Sequence, residues 1–297
     1  MRKIVFVFFV FINLSSFAQR SEFGVFGGGS YYVGDLNPKK HFLLTKPAAG
    51  LIYRYNFNPH FAFKGNAFLG SVEGDDSKSG YNVKRNLSFV SPITEFSAQI
   101  EFNFFPFITG NSKYPFSPYV FAGVSLFKFN PKGELKDDIV NSNGKVLYHK
   151  GTYALQPLGT EGQGTSYYPD RKPYSLTKFA IPFGVGIKYN LFRKVSIGLE
   201  YGLRRTQTDY LDDVSTTYAN PSVLSSENTP VSSVLSDKTE VVEGQIINNT
   251  DLQRGNSKNK DWYSFFGVSV VFRLKFGNET CPAYGKQKKF KEYQNKY

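Results

Sequence analysis

Residues Lys178–Thr206 read KFAIPFGVGIKYNLFRKVSIGLEYGLRRT. The first half sets Phe179, Ile181, Phe183, Val185, Ile187 and Tyr189 against Ala180, Pro182, Gly184, Gly186, Lys188 and Asn190. The second half sets Val195, Ile197, Leu199, Tyr201 and Leu203 against Ser196, Gly198, Glu200, Gly202 and Arg204, and the polar connection Asn190–Lys194 joins the two. Period two gives each half one apolar face and one small or charged face. Strands of soluble sandwiches usually run about 5–6 residues. Strands of about 10 residues with aromatic ends suit a tilted crossing of a bilayer. The hairpin therefore predicts a piece of a membrane-spanning β-barrel, apolar set outward.

The start of the chain predicts export. Arg2-Lys3 precedes the apolar run Ile4–Ile12, and Ser16-Phe17-Ala18 places small residues at the −3 and −1 positions of a cleavage site, the pattern of a secretory signal peptide. We assign residues 1–18 to it; the apolar run is too short to serve as a spanning anchor. No cysteine lies near the cut, which argues against a lipoprotein. Beyond residue 18 no apolar run approaches the roughly 20 residues of a spanning helix, leaving a periplasmic, secreted or barrel product. Aromatic residues make up 17%, with 30 Phe and 20 Tyr, yet mean hydropathy is −0.34. Many rings on a chain that is polar on average fit lipid-out, polar-in strands with aromatic girdles.

The length of 297 residues suits one large β domain. Cys281 is the single cysteine, so a disulfide scaffold is excluded. Removing Arg2 and Lys3 lowers the 36 basic side chains to 34 against 24 acidic ones, a net +10. The destination argues against nucleic acid as the counterpart of that charge. Outer-membrane lipids, anionic lipopolysaccharide above all, or an acidic protein fit better.

The rest of the chain supplies six more strands. Strand one is Glu22–Val33, whose Gly27-Gly28-Gly29 run lacks the Lys-Ser/Thr of a phosphate loop and reads as a bend or a close backbone approach. Strand two, Pro47–Phe57, turns through Asn58-Pro59-His60 into strand three, which carries Phe61, Phe63, Ala67 and Leu69 outward. A polar loop over 73–86 leads to strand four, Leu87–Phe104, in which Pro92 suggests a bulge. Strand five, Pro118–Phe129, has apolar residues on both faces, so its orientation stays open. Residues 130–175 and 207–260 form two long loops, and strand eight, Asp261–Phe276, closes the set. The reading is an all-β, eight-stranded antiparallel outer-membrane barrel over residues 19–276, long loops external and short turns periplasmic. A basic periplasmic tail, 277–297, follows.

Among candidate sites, Arg54, Lys64, Glu95, Glu101, Lys188, Glu200, Arg204, Arg273 and Lys275 fall on the inward face and mix both signs. The interior of so small a barrel is just filled by side chains, and unpaired buried charge is costly. They therefore read as a structural polar plug. The histidines, His41, His60 and His149, are scattered, and no H-E-x-x-H, G-x-S-x-G or Cys/His cluster occurs. We therefore assign no catalytic, cofactor-binding or metal-binding residue and no cofactor, although partners for catalysis need only meet in space. Asp209-Tyr210-Leu211-Asp212-Asp213-Val214-Ser215 reads as an external rim: a solvated loop entrance, a contact surface, or carboxylates for a hard cation such as Ca²⁺. Barrel closure would bring Asp35 to the same rim. In the tail, Cys281, Lys286, Lys288, Lys289, Lys291 and Lys296 are either partner contacts or a solvated end.

The stretch Gly28–Leu36 (GGSYYVGDL), the Asp209–Ser215 segment, and Phe272–Phe276 leading to Cys281-Pro282 resemble the PorG family, small outer-membrane barrels of the type IX secretion system of Bacteroidetes. The resemblance spans nearly all of the mature chain, and its most specific piece is Asp209–Ser215. It implies a non-enzymatic barrel associated with a periplasmic ring of a PorK-like lipoprotein and a PorN-like protein. The alternatives are a generic OmpA-like envelope or adhesion barrel, an outer-membrane lipid-modifying enzyme, and a soluble lipocalin-like barrel with its apolar set inward.

Overall fold

Among the described residues, alternating apolar and polar residues build twelve strands: β1 (Ser21–Val33), β2 (Lys46–Asn56), β3 (Phe61–Asp75), β4 (Ser88–Asn103), β5 (Phe116–Phe129), the short β6 (Lys132–Leu135), β7 (Ile139–Val140), β8 (Val146–Tyr148) and β9 (Gly151–Ala154), then β10 (Thr177–Phe192), β11 (Val195–Thr206) and β12 (Trp262–Arg273). The protein is seen here as a computed structural model, which describes residues 21–110, 113–239 and 248–274. The eight long strands run in the order β3-β2-β1-β12-β11-β10-β5-β4, and pairing of β3 with β4 closes the ring. Every pairing in it is antiparallel.

The direction of the alternation places the barrel in a membrane. Phe96, Val124 and Leu199 on the outer wall are 61%, 62% and 58% exposed, while Glu95, Glu101 and Arg204 on the inner wall are 0% exposed. A soluble barrel has the opposite arrangement. With no edge strand left unpaired, an apolar exterior and a polar interior, this is an outer-membrane β-barrel. No helix among the described residues is long and apolar enough to cross a membrane. The long connections share one end, which in such barrels is the extracellular one.

Strand five takes its orientation from glycines on the next two strands of the ring, β10 and β11. Tyr119, Phe121, Phe127 and Phe129 point inward and are buried, while Val120, Val124, Leu126 and Lys128 face out. Gly184 and Gly202 leave the room: a Cβ on either would lie 2.7 or 2.8 Å from Phe121 Cζ. The Phe121 ring thus fills the space that missing side chains leave on its neighbouring strands. At the β1–β12 seam Gly28 faces Gly267, and a Cβ on either would come within 2.6 Å of the partner's Cα. The glycine run in strand one serves a close approach of two backbones.

Two expectations need correcting. Pro92 makes no bulge, because β4 keeps unbroken register with β3 through Ser71↔Pro92. It falls where β4 passes from β5 (Ile93↔Phe129) to β6 (Val90↔Lys132), so its missing N–H interrupts no long ladder. Strand ends also differ by one or two residues, and strand eight is assigned only to Arg273, with Lys275 and Phe276 outside the described residues.

Both mouths are occupied. At the turn end the β4–β5 connection folds back, burying Phe107 to 1% and Thr109 to 0%; Thr109 Oγ1 donates to Ser196 Oγ at 3.1 Å and Asn190 Nδ2 to the Ile108 carbonyl at 3.1 Å. At the other end the loops make a folded cap. Strands β6 and β9 pair and continue the wall of β4, and short helices cover Pro221–Val223 and Pro230–Ser236. Leu211, Val214, Val231, Leu235, Leu135, Leu155 and Tyr174 of these loops join Phe89, Phe127, Phe129, Tyr263 and Phe265 of the barrel in one apolar core. That core lies in the outer half of the lumen and the cap.

Candidate functional site

Two groups of polar side chains stand out: an ion network inside the barrel and an acidic cluster beneath the cap. In the first, Glu101 on β4 is the hub. It accepts from Arg54 Nε at 2.6 Å and Nη2 at 3.3 Å and from Lys188 Nζ at 3.1 Å, with Lys64 Nζ 3.9 Å away. Arg54 Nη1 reaches Glu22 at 3.0 Å, and Lys64 Nζ donates to Glu200 at 2.5 Å. Tyr119 hydroxyl also donates to Glu200, at 2.7 Å. Higher in the lumen Arg204 Nε donates to Glu95 at 3.1 Å, Tyr263 hydroxyl to the same carboxylate at 2.7 Å, and Arg204 Nη1 to the Gly202 carbonyl at 2.7 Å.

Among the described residues this buried network sets four cations, Arg54, Lys64, Lys188 and Arg204, against four carboxylates, Glu22, Glu95, Glu101 and Glu200. Aromatic faces complete the solvation: Lys64 Nζ lies 4.1 Å from the Phe121 centroid, Lys188 Nζ 4.4 Å from Tyr119, and the Arg204 guanidinium 4.9 Å from Phe265. Arg273 is half-buried at the turn-end mouth, opposite Glu22 in the ladder. Glu22 escaped the sequence reading, although it is the inward residue that begins strand one; alternation back from Phe26 would have found it.

The stretch Asp209–Ser215 is not a solvent-facing rim. Asp209, Asp212 and Asp213 are 3%, 1% and 0% exposed, because the cap folds over them. Tyr210 is half-buried, its ring stacked on Tyr174 at 4.5 Å, and Asp35 is half-buried, accepting from the Asn256 amide at 2.7 Å. The contacts form a tight set. Tyr32 hydroxyl donates to Asp212 Oδ2 at 2.5 Å and lies 3.2 Å from Asp261 Oδ1. Asp212 Oδ1 accepts from the Val214 amide at 2.9 Å, and Asp261 Oδ2 from the Leu211 amide at 3.0 Å. Asp213, with a left-handed backbone at φ 66°, takes hydrogen bonds from Tyr174 hydroxyl at 2.6 Å and from Thr160 Oγ1. Arg254 bridges to Glu161 at 3.1 Å, and Arg85 holds Asp76 at 2.7 Å.

Burial sets the electrostatics. It pushes the Asp209 carboxyl up to about 7, with the charge of Asp35 adding to the effect. It pushes Asp213 up to about 6 against the opposing pull of Arg254. It raises Asp212 and Asp261 well above the usual carboxylate range, Asp35 adding to Asp212 and Asp212 and Asp209 adding to Asp261. Both Asp209 oxygens are buried without a hydrogen-bond partner. Among the described residues no three His, Cys, Asp or Glu side chains are placed to hold a metal ion. Glu161, Arg254, Arg85 and Asp261 were missed from sequence; the first three sit in irregular loops where no period marks which way a side chain points. Cys281, Lys286, Lys288, Lys289, Lys291 and Lys296 lie outside the described residues.

A family model described as "Domain of unknown function (DUF6089)" matches residues 1–156. No curated protein sequence matches the chain. Among solved structures the chain is similar to Neisserial surface protein A, with a TM-score of 0.39 and 9% identity over 86% of this chain and 97% of that one. It is similar also to Ail, the attachment invasion locus protein of Yersinia pestis, crystallised with the heparin analogue sucrose octasulfate, at 0.35 and 12% over 85% and 97%. A major outer membrane protein from Thermus thermophilus gives 0.39 and 12% over 86% and 99%. The barrel assignment rests on strand order, closure and the apolar exterior, not on these distant likenesses.

Proposed function

This chain belongs to the DUF6089 family, and we propose that it is a non-enzymatic, non-conducting structural barrel serving type IX secretion, coupling a periplasmic ring of PorK-like and PorN-like proteins to the outer membrane. The observation that carries the reading is a meeting of two stretches. Gly28–Leu36 and Asp209–Ser215, which carry the resemblance to the PorG family, come together in the bond between Tyr32 and Asp212. That the two stretches meet in space supports reading them as one feature. A lumen closed at both mouths and neutral in its ion network supports a role without transport. His41 lies on the outer wall against Tyr31, His60 in a turn-end connection and His149 in an exposed loop, so no two of them share a site.

The turn end fits an acidic protein partner. Its short connections carry Lys113, Arg193 and Lys194 and, among the described residues, no carboxylate. The basic residues of the 277–297 tail extend that charge in sequence. The test is purification of the tagged protein from outer membranes in mild detergent, with mass spectrometry of what accompanies it. Ring proteins are expected to co-purify, less so after deletion of 277–297. A clean barrel, from membranes where the ring is present, would refute the coupling. The second reading, an envelope or adhesion barrel, draws on the large folded cap at the extracellular end. An unchanged secretome in a deletion strain would favour it.

A further inference from the structure

The acidic cluster under the cap holds more carboxylates than its hydrogen bonds and cations can satisfy as anions. A phenol has one hydrogen to donate, yet two carboxyl groups, Asp212 and Asp261, lie within 3.2 Å of the Tyr32 hydroxyl oxygen. That oxygen also accepts from the Leu36 amide at 3.4 Å. Both carboxyls are bonded there only if one carries a proton of its own and donates it. Asp209 makes the same demand independently. It is 3% exposed and neither oxygen has a partner at hydrogen-bond geometry, with the Ser215 side chain opposing the effect of burial only in part, a position that an ionised carboxylate occupies only at high cost.

The surrounding charges do not relieve this. From the β1–β2 connection comes Asp35, and from the β3–β4 connection come Asp76 and Arg85, which are committed to each other. The 130–176 loop contributes Glu161, and the 207–261 loop contributes Arg254, which is committed to Glu161 and Asp213. Lys260, exposed at the foot of the last strand, is the cation that acts on Asp209. A divalent cation is not the geometric answer, since no three of these side chains are placed around one point.

We propose that the cap is a proton-operated latch: neutral carboxyl groups at Asp209 and within the Asp212–Asp261 pair hold residues 207–239 and 248–261 and Asp35–Leu36 onto the barrel mouth, and their ionisation releases them. The latch joins β1, the first external loop and the last external loop, so its opening exposes the apolar core shared by cap and barrel. It does not depend on the secretion role. The direction follows from linkage. Each of these acids holds its proton more tightly in the closed cap than in an open one, so the cap is firmest at acid pH and loosens as pH rises through about 7, where Asp209 ionises.

The test is hydrogen exchange of the full-length protein in dodecylmaltoside micelles between pH 5.5 and 8.5, corrected for intrinsic exchange. Protection of 207–261 is expected to fall by about tenfold or more over that range, while strand amides stay protected. Asp209→Asn, neutral at every pH, is expected to remove the part of the fall that Asp209 contributes below about pH 7, and Asp261→Asn to reduce the remainder. Folding of each variant is checked by heat-modifiable migration. Difference infrared spectra of the wild type supply a readout that needs no variant: a protonated carboxylic acid band at pH 6 that weakens by pH 8.5. Protection that does not change with pH, the absence of that band, or an unaltered fall in Asp209→Asn would overturn the latch. Opening by EDTA at pH 6, with closure by Ca²⁺ at pH 8.5, would overturn it in favour of a cation site.

Discussion

Replacing Glu101 by Gln isolates the charge balance of the lumen. The amide keeps the shape of the side chain and removes one of four carboxylates, leaving Arg54, Lys64, Lys188 and Arg204 facing Glu22, Glu95 and Glu200. Arg54 loses its 2.6 Å partner, and Lys188 loses the carboxylate it reaches at 3.1 Å. Phe107 and Tyr119 close over Lys188 at 5.4 and 4.4 Å. Breaking a buried ion pair by removing one partner costs about 3–5 kcal/mol. For a chain of this size that lowers the unfolding midpoint by on the order of 10 °C. The assay is heat-modifiable migration in one detergent over a temperature series. Adding Lys188→Met restores the balance and gives the two rings an apolar neighbour, so the double variant should recover about 1–3 kcal/mol relative to additivity. If Glu101→Gln melts within about 1 kcal/mol of the wild type, or if the two changes simply add, then the network is solvated and the account of a dry, neutral lumen is wrong.

Two further outcomes follow from the geometry. Gly267→Ala places a Cβ against the Gly27-Gly28 backbone on the β1–β12 seam, an overpacking worth about 1–3 kcal/mol, and should raise the fraction that stays unfolded on unheated gels; normal assembly would show that the seam gives way easily. Burial raises Asp213 to about 6 in the folded cap, so its contribution is complete below about pH 4 and is lost as pH rises through 6. Asp213→Asn should flatten cap protection against proteolysis between pH 4 and 6, and an unchanged profile would assign the titration elsewhere.

The barrel wall was legible because period two is written into every long strand and one face of it meets lipid. Arg54, Lys64, Glu95, Glu101, Lys188, Glu200 and Arg204 followed from parity alone, since a residue's neighbours on a strand fix its side. Strand five was ambiguous for a reason that parity cannot resolve: its inward rings are received by glycines on β10 and β11, far away in sequence. The cap was opaque for a different reason. Glu161, Arg254 and Asp213 are brought together by irregular backbone, and an acidic run such as Asp209–Ser215 looks the same whether water or protein covers it. What decides between the two is apolar Leu211, Val214, Val231 and Leu235 scattered through a polar loop, too sparse to show a period but sufficient to bury it.

The filled lumen has a mechanical consequence. A hollow eight-stranded cylinder can be squeezed oval with little resistance, because only its wall resists. Here, flattening would press on the buried rings of Tyr119 and Phe121 that fill the interior and would draw Arg54 and Lys188 off Glu101. The tube therefore behaves as a solid strut. A pull on the turn at Arg193-Lys194 travels along ladders held apart by incompressible contents and arrives at the opposite mouth as force, not as deformation.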